Sequence, residues 1–306
     1  ILIALALYVD LFSASGVVAG LFGTAYAVVR LFTVLPLGRA ADRGNKKHHL
    51  LAGLSIYGVV LLGFMQVGAV SHVIVLRVLQ GLSSTTLILT GTAVVGEICP
   101  DEERGLWIGT YNQARALSSL AGDLVGGALL ATYGFSVTYA VLVAVTMVAT
   151  LVVFAFLRDD PGSSATDERT GRETLVRLLR RRAVAALVAF RFTFSFGKMA
   201  VVLFLPIYAR TAFGMSPLLI GGILAGGKLT KALAQGHVGT LSDRIGNRSW
   251  FIVAGTLLYA LGTAAIPFAD AAQGVVGSLT IGAFDRSTTV PAAVLVLFVS
   301  YAVLGL

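Results

Sequence analysis

The chain of 306 residues is poor in charge, in cysteine and in acidic side chains. Only 12% of its residues are charged, against about 25% in a typical soluble domain. Hydrophobic residues make up 57% of it, and the mean hydropathy is +0.87. The single cysteine, Cys99, excludes an intramolecular disulfide. These shortages exclude an ordinary soluble domain and a disulfide-rich one, and they favour a membrane protein.

The motifs of common enzyme active sites are missing as well. The sequence has no Walker-type phosphate loop, no His-Glu-x-x-His and no Gly-x-Ser-x-Gly. Its histidines are few and lie in or beside predicted loops at unrelated spacings, which is not a metal-ligand pattern. We therefore expect no catalytic residue, no bound metal and no cofactor. A membrane-embedded enzyme and a receptor that transports nothing stay as remote alternatives.

Long apolar runs recur along the whole chain, and several reach the roughly 20 residues that a helix needs to cross a bilayer. They predict an all-α, polytopic membrane protein. The predicted complete spans are 16–37, 50–70, 73–97, 106–131, 136–157, 183–209, 217–238 and 250–268, with partial spans at 1–9 and 291–306.

Basic residues collect on one side of these predicted spans. They crowd the loops 38–49, 98–105, 158–182 and 239–249, whereas the opposite loops hold only Arg210 and Arg286. By the positive-inside rule the crowded loops are cytoplasmic, which predicts a multi-pass protein of the plasma or inner membrane. This distribution accounts for the net charge of +8 without a nucleic-acid partner.

A weak internal repeat divides the chain into two similar parts. The stretch 15–47 returns as 216–248, 201 residues further along. Paired halves of this kind are typical of secondary transporters. We predict an N-terminal helical bundle (1–158), a cytoplasmic loop with an amphipathic helix (159–182) and a C-terminal bundle (183–306). By comparison of the halves, we expect two six-helix bundles of which most of the first span and the last two to three spans are lacking.

The repeated loop after the second span of each half has the pattern Gly-x-x-x-Asp-Arg, followed by glycine and basic residues. Glycine lets helices approach closely, and the aspartate can accept hydrogen bonds at a helix start. The arginine can pair with an acid on a neighbouring helix, and Glu97 is the expected partner of Arg43. The pattern residues are Gly38, Asp42 and Arg43 in the first copy and Gly239, Asp243 and Arg244 in the second.

On these two loops the chain resembles the major facilitator superfamily over essentially its whole length. The resemblance implies alternating access, in which the two halves rock about a central site and the loops act as latches. The first copy lacks one residue between Arg43 and Gly44, so its turn is expected to differ. Glu97 and Arg104 fit the family's end of span four and join the expected gating residues.

Two further motifs fall inside predicted spans. Arg77, Gln80 and Gly81 match the family's Arg-x-x-Gln-Gly, which is associated with proton coupling or with organising the core. The segment 122–127 resembles its Gly-Pro-x-x-Gly-Gly antiporter motif, with Asp123 in place of proline. Asp123 is the acid at membrane depth, so it is either a candidate protonation site or a salt-bridged structural residue. The glycines expected to pack helices are Gly81, Gly122, Gly126 and Gly127.

Cations at membrane depth outnumber that acid. Besides Arg77 they are Arg30, Arg115, Arg191, Lys198, Lys228 and Lys231. Such an excess predicts a water-filled, electropositive cavity that favours anionic or polar small molecules. We expect a monomeric secondary transporter in the lipid bilayer, with proton-coupled efflux preferred. The alternative is an anion or sugar uptake symporter or exchanger.

Overall fold

A computed structural model describes the backbone of residues 2–100, 103–158, 180–245, 248–283 and 286–305. Within these ranges, the side chains of 104–106, 183, 187, 235–249, 279–290 and 305 lie outside the description. The described backbone is almost entirely helical, which confirms the predicted all-α membrane fold. Its helices are α1 Leu2–Leu11, α2 Gly16–Arg43, α3 Lys46–Met65, α4 Val70–Ile98, α5 Arg104–Phe156, α6 Arg182–Phe213, α7 Pro217–Ile245, α8 Arg248–Ala265, α9 Phe268–Val276 and α10 Ala293–Gly305.

The helix ends follow from local sequence signals. The side chain of Ser15 accepts a hydrogen bond from the Val18 amide and caps α2. Asn45 caps α3 by accepting from the Lys47 amide at 3.0 Å. Among the described residues, six helices are long and apolar enough to cross a membrane, or seven if the bent pair α8 and α9 forms one span.

Helix α5 contains both the fourth and the fifth predicted complete spans. Its 53 residues would extend about 80 Å, far more than a bilayer of about 30 Å requires. Its backbone breaks at Gly134, which has a φ of 70°. That conformation suits glycine, and the break falls in the gap predicted between 131 and 136.

A short β-hairpin is the one regular element other than a helix in the described backbone. Strands β1 (Ser278–Ala283) and β2 (Arg286–Pro291) pair antiparallel, with Ser278 opposite Pro291 and Ala283 opposite Arg286. The sequence predicts no helix or strand for this stretch between two spans. The β-branched Thr288, Thr289 and Val290 favour the extended backbone found there.

The chain separates into two compact units. The first unit comprises Ile1–Leu11, Gly109–Thr138 and Leu205–Leu306, and the second comprises Phe12–Ile108 and Tyr139–Phe204. Each unit therefore takes segments from both predicted bundles. The bundle boundaries at 158 and 183 stay a prediction.

In the second unit, α4 packs against both α2 and α3. The buried core includes Phe22, Phe64 and Val73, and the Phe64 ring stacks on Tyr139 at 5.5 Å between centroids. Gly81 lets α4 approach α2 closely, because a Cβ at this position would lie 2.7 Å from the Tyr26 carbonyl oxygen.

We expect Gly81→Ala to lower the free energy of unfolding by about 1–3 kcal/mol, because the added methyl overlaps a backbone atom of α2. Thermal unfolding of the full-length protein in detergent measures this change. Gly58→Ala in α3 is the matched control, since a Cβ there meets nothing within 4 Å. The control should be neutral or slightly stabilising, since alanine is the better helix former. Equal stability of the two variants would contradict the close α2–α4 contact.

In the first unit, α10 packs against α7 and α8. Phe298 covers Gly226 and Tyr301 covers Gly227, so α10 lies directly on a two-glycine face of α7. Leu224 and Leu297 are fully buried in this contact region. Lys228 is the next residue of α7 after these two glycines. The contact with α10 therefore also fixes the orientation of the part of α7 that carries Lys228.

Candidate functional site

Two helices of the first unit approach each other through glycines near Asp123. A Cβ on Gly127 of α5 would lie 2.7 Å from the Pro217 carbonyl oxygen of α7. A Cβ on Gly221 would lie 2.5 Å from the Asp123 carbonyl oxygen. A Cβ added at Gly122 or Gly126 would meet nothing within 4 Å among the described residues, so the close contact in this segment falls at Gly127.

This approach brings Asp123 of α5 against Lys228 of α7. The Asp123 Oδ2 and the Lys228 Nζ form an ion pair. The same ammonium donates to the Ser119 hydroxyl at 2.7 Å and to the Ser119 carbonyl at 3.3 Å. Ser119 lies four residues before Asp123 and shares its helix face. The three residues form one acid–hydroxyl–ammonium cluster, here called the Asp123 cluster.

The ion pair of the Asp123 cluster is partly shielded within the first unit, whereas Ser119 is exposed. The exposed fraction is 16% for the Asp123 side chain and 28% for Lys228. Tyr301 of α10 packs on Gly227 and lies within electrostatic range of Asp123. Binding of a proton by Asp123 would cancel the ion pair and leave Lys228 held by Ser119 alone.

A second polar cluster surrounds Arg77 in the second unit, where the exposed fraction of Arg77 is 3%. Its Nε donates to the Phe22 carbonyl at 2.7 Å, and its Nη1 donates to the Gln80 Oε1 at 2.6 Å. Its guanidinium also lies 4.5 Å from the Tyr26 ring centroid. These partners are all neutral, and they tie α4 to α2.

The Arg77 cluster continues through two tyrosines that the sequence motifs do not indicate. Tyr57 of α3 shares a side-chain hydrogen bond with Gln80. Tyr26 of α2 accepts from the Ser84 hydroxyl at 2.9 Å. Gln80 belongs to the predicted Arg77 motif and needs polar partners. The sequence signal for those partners was the presence of polar side chains on the neighbouring predicted spans.

Glu97, near the end of α4, forms an ion pair with a lysine of the first repeated loop. Its Oε1 lies 2.7 Å from the Nζ of Lys46, whose exposed fraction is only 2%. Lys46 is thus a partner of Glu97, and the expected pairing of Glu97 with Arg43 stays a prediction. Asp42 and Arg43 are exposed, and a Cβ added at Gly38 would meet nothing within 4 Å among the described residues. The turn at Gly44 is tight, as the missing residue suggests, because a Cβ there would lie 2.8 Å from the Ala40 carbonyl.

The second copy of the loop is described only in its backbone. Gly239, Asp243 and Arg244 lie in α7, and Arg104 begins α5, but their side chains lie outside the described residues. Their predicted gating role stays a prediction.

The remaining predicted cavity cations are on exposed positions. Arg30 lies 5.5 Å from the Tyr26 ring centroid, and Arg115 donates to the Asn112 side chain at 3.3 Å. The electropositive cavity is untested by these positions and stays a prediction. The exposed cations in this set are Arg30, Arg115, Arg191, Lys198 and Lys231.

An ion pair at the predicted outer side was not anticipated. The Arg210 Nε donates to the Asp10 Oδ2 at 3.0 Å, joining α6 to α1 within the first unit. Arg210 also donates to the Met215 carbonyl at 3.3 Å. In the sequence, Asp10 directly follows the apolar run 1–9. A charged residue at that place indicates where the helix ends.

We expect Glu97→Gln to lower the free energy of unfolding by about 1–3 kcal/mol, because it leaves the Lys46 ammonium buried without its carboxylate. The exposed fraction of Glu97 is 45%, so solvent screening keeps the effect below that of a fully buried pair. Thermal unfolding in detergent measures it. Lys46→Gln in the same chain should recover most of the loss. Asp42→Asn, at an exposed acid of the same loop, is the control and should be near neutral.

A family model described as Major Facilitator Superfamily matches residues 1–302. An uncharacterised MFS-type transporter of Methanocaldococcus jannaschii is 22% identical over 296 residues, covering 92% of this chain and 74% of that protein. The multidrug resistance protein MdtG of Salmonella choleraesuis is 26% identical over 239 residues, covering 76% of this chain and 59% of that protein.

The fold also matches solved structures. A peptide transporter of the POT type, solved in complex with alafosfalin, superposes with a TM-score of 0.66 at 17% identity. The match covers 99% of this chain and 70% of that one. The chain thus spans only part of the length of each of these relatives.

Proposed function

The chain belongs to the Major Facilitator Superfamily, and on that premise we propose that it is part of a secondary active transporter that exports a small molecule in exchange for protons. The resemblance inferred from its loop motifs is confirmed. Transport follows alternating access in a multi-pass membrane protein, and the binding site faces one side of the membrane at a time.

The Asp123 cluster carries the proposal. An ionisable pair at membrane depth is costly to insert and marks ion pathways and proton relays. In the proposed cycle a proton from the outside binds the Asp123 carboxylate, and the ion pair with Lys228 is lost. The ammonium stays on Ser119, the contact between α5 and α7 loosens, and the site opens inward. Release of the proton to the cytoplasm restores the ion pair.

Two observations favour export as the direction. The segment 122–127 keeps three glycines of the antiporter motif, and Gly127 makes the close contact with α7. The Salmonella relative bears the name multidrug resistance protein. A membrane transporter that gives resistance to a drug must move it out of the cell, so we assign the same direction to this chain.

The inner-face loops are the proposed latches. Asp42, Arg43 and Glu97 in the first repeat, and Asp243 and Arg244 in the second, would pair with neighbouring helices and release them as the halves rock. Arg104 belongs to the same set. We place these loops in the cytoplasm because of their basic residues. We also expect the protein to be a monomer.

The excess of cations favours a second candidate, an uptake symporter or exchanger for anions or sugars. Arg30, Arg191, Lys198 and Lys231 are exposed positions on predicted membrane spans. If these side chains line a water-filled path, an anionic substrate would compensate them.

A proteoliposome assay with the full-length protein separates the two candidates. The vesicles contain a pH-sensitive dye and carry an imposed pH gradient. The probes are tetraphenylphosphonium, a lipophilic cation, and para-aminohippurate, an organic anion. Proton movement opposite to tetraphenylphosphonium supports export. Proton movement together with the anion supports the symporter. Substrate movement without any proton flux would overturn proton coupling in both.

A further inference from the structure

The seam between α5 and α7 of the first unit is closed at one end and open at the other. At the closed end Gly127 of α5 lies against Gly221 of α7, and both residues are buried. One turn further along α5, the ion pair of Asp123 with Lys228 is partly shielded. Beyond this pair, Ser119 is exposed. The seam therefore opens toward the end that carries Ser119.

The contacts along this seam show that the two helices run antiparallel. Asp123 meets Gly221, whereas Ser119, which is earlier in α5, meets Lys228, which is later in α7. The open end thus points toward the start of α5 and the end of α7. By the predicted orientation this end faces the cytoplasm, from which an exporter takes its substrate.

The next turn of each helix toward the open end carries a cation. Arg115 lies four residues before Ser119, and Lys231 lies three residues after Lys228. At these spacings each cation stays on the helix face that forms the seam, about 5 Å beyond the ion pair. Both side chains are exposed. A cation exposed at membrane depth faces water or protein rather than lipid, so the open end is a hydrated, positively charged site.

The sequence offers few acids to neutralise these two cations. Besides Asp123, which pairs with Lys228, the nearest acids along α5 and α7 are Glu103 and Asp243. Each lies twelve residues from the nearer cation, which is about 18 Å along a helix. The acids of the first unit are Asp10, Asp123, Asp243, Asp270 and Asp285.

The two cations have hydrogen-bond donors left for a ligand. The Arg115 guanidinium has five N–H donors, and in the described part of the chain one of them is used, on the Asn112 side chain at 3.3 Å. The Tyr111 ring centroid lies 5.8 Å from the guanidinium. Lys231 has three donors and makes no hydrogen bond to the described residues. A planar guanidinium with an ammonium beside it suits a carboxylate.

We propose that Arg115 and Lys231 bind the carboxylate of an anionic substrate at the open end of the seam. The proposal rests on the proposed exchange of substrate for protons and names the substrate class, a small organic anion. Arg115 donates two parallel N–H groups to the carboxylate, and Lys231 donates from the facing helix. The Tyr111 ring packs against the apolar part of the substrate.

This site requires α5 and α7 to stay together, because each helix supplies one of the two cations. In the proposed cycle a proton on Asp123 removes the ion pair with Lys228 and loosens the contact between the helices. Arg115 and Lys231 then separate, and the anion is released. Proton and anion bind alternately, as an exchanger requires.

Thermal unfolding of the full-length protein in detergent measures binding without transport. Para-aminohippurate is titrated, and its methyl ester is the neutral comparison with the same body. We expect para-aminohippurate to raise the melting temperature in a saturable way and the ester to leave it nearly unchanged. Equal shifts from the two compounds, or no shift from either, would overturn the carboxylate site.

Single variants test the two donors. Arg115→Gln and Lys231→Gln should each weaken the apparent affinity for para-aminohippurate about tenfold, since each removes a hydrogen bond between charged groups. Both positions are exposed, so the melting temperature without ligand should stay nearly unchanged. Lys231→Arg keeps the charge and the donor and should retain most of the affinity. Wild-type affinity in both glutamine variants would overturn the assignment.

The matched control removes the same charge elsewhere. Arg181→Gln/Arg182→Gln changes two exposed arginines beside the start of α6, in the second unit. It should keep the wild-type affinity, whereas Arg115→Gln/Lys231→Gln should lose it. An equal loss in both double variants would show general electrostatic attraction and overturn the site.

Flux in proteoliposomes separates this site from the proposed function. We expect protons to move opposite to para-aminohippurate, and this exchange to be lost in Arg115→Gln/Lys231→Gln. If para-aminohippurate does not bind while tetraphenylphosphonium still exchanges for protons, the anion site is wrong and the exporter stands. If para-aminohippurate binds with the variant pattern above but no substrate exchanges for protons, the exporter is wrong and the anion site stands.

Discussion

Asp123→Asn should reduce proton-driven transport to the background rate of protein-free vesicles while leaving a folded protein. Asparagine has nearly the shape of aspartate and can still accept a hydrogen bond from Lys228, but it does not take up a proton at ordinary pH. If Asp123 is the coupling group, the variant keeps substrate exchange in the absence of a pH gradient and loses only the response to that gradient. The measurement is probe flux in proteoliposomes with and without an imposed gradient.

Asp10→Asn is the matched control for that experiment, because Asp10 is also an acid of the first unit with a basic partner, Arg210. Its ion pair lies at a helix end and not at membrane depth, so pH-driven flux should persist. Asp123→Glu keeps a titratable carboxyl and should retain part of the coupling. Undiminished pH-driven flux in Asp123→Asn would show that the proton binds elsewhere.

The same substitution separates coupling from stability. The Asp123–Lys228 pair is partly shielded, so its loss should lower the free energy of unfolding by only about 1–2 kcal/mol, below the cost for a fully buried pair. Lys228→Gln should cost a similar amount, and the double variant Asp123→Asn/Lys228→Gln should cost less than the sum of the two. A variant that unfolds outright would report on folding and not on proton binding.

The helices were predictable because a bilayer demands long apolar segments with internally paired backbone. The boundary between the two spans of α5 was predicted as well, and Gly134, whose positive φ breaks the helix, lies in the predicted gap. The hairpin after α9 was not predicted, because a short β-branched stretch between spans gives only a weak signal.

The ion pairs were harder to predict than the charged residues that form them. The notable depth of Asp123 could be read from its apolar neighbours, but Lys228 was one of several cations in the sequence. The contact at Gly127 and Gly221, which brings α5 against α7, selects Lys228 as the partner. Such pairing depends on helix packing, which a single sequence does not specify.

Lys46 shows the opposite case, because its position in a basic loop suggested a solvated side chain. In the structure it begins α3 and is buried against Glu97 of α4. A long lysine stem packs well among apolar side chains while its ammonium reaches a carboxylate. The pattern of charges along the loop therefore predicted the polarity of this region but not which cation is buried.

Arg77→Lys should lower the free energy of unfolding by about 2–3 kcal/mol, although it conserves the charge. The guanidinium of Arg77 donates in two directions at once, to the Phe22 carbonyl and to the Gln80 side chain, and it also covers the Tyr26 ring. A lysine ammonium is a single point at the end of its stem and cannot occupy both donor positions. Thermal unfolding of the full-length protein in detergent measures the loss.

Arg30→Lys is the control for Arg77→Lys, because Arg30 lies on the same Tyr26 ring but is exposed. Its change in unfolding free energy should stay within about 0.5 kcal/mol, as for surface substitutions in general. A large difference between the two variants means that Arg77 organises the contact between α2 and α4. Equal effects would remove that structural role and leave the alternative in which Arg77 acts in proton coupling. In that case Arg77→Lys should alter pH-driven flux while leaving stability unchanged.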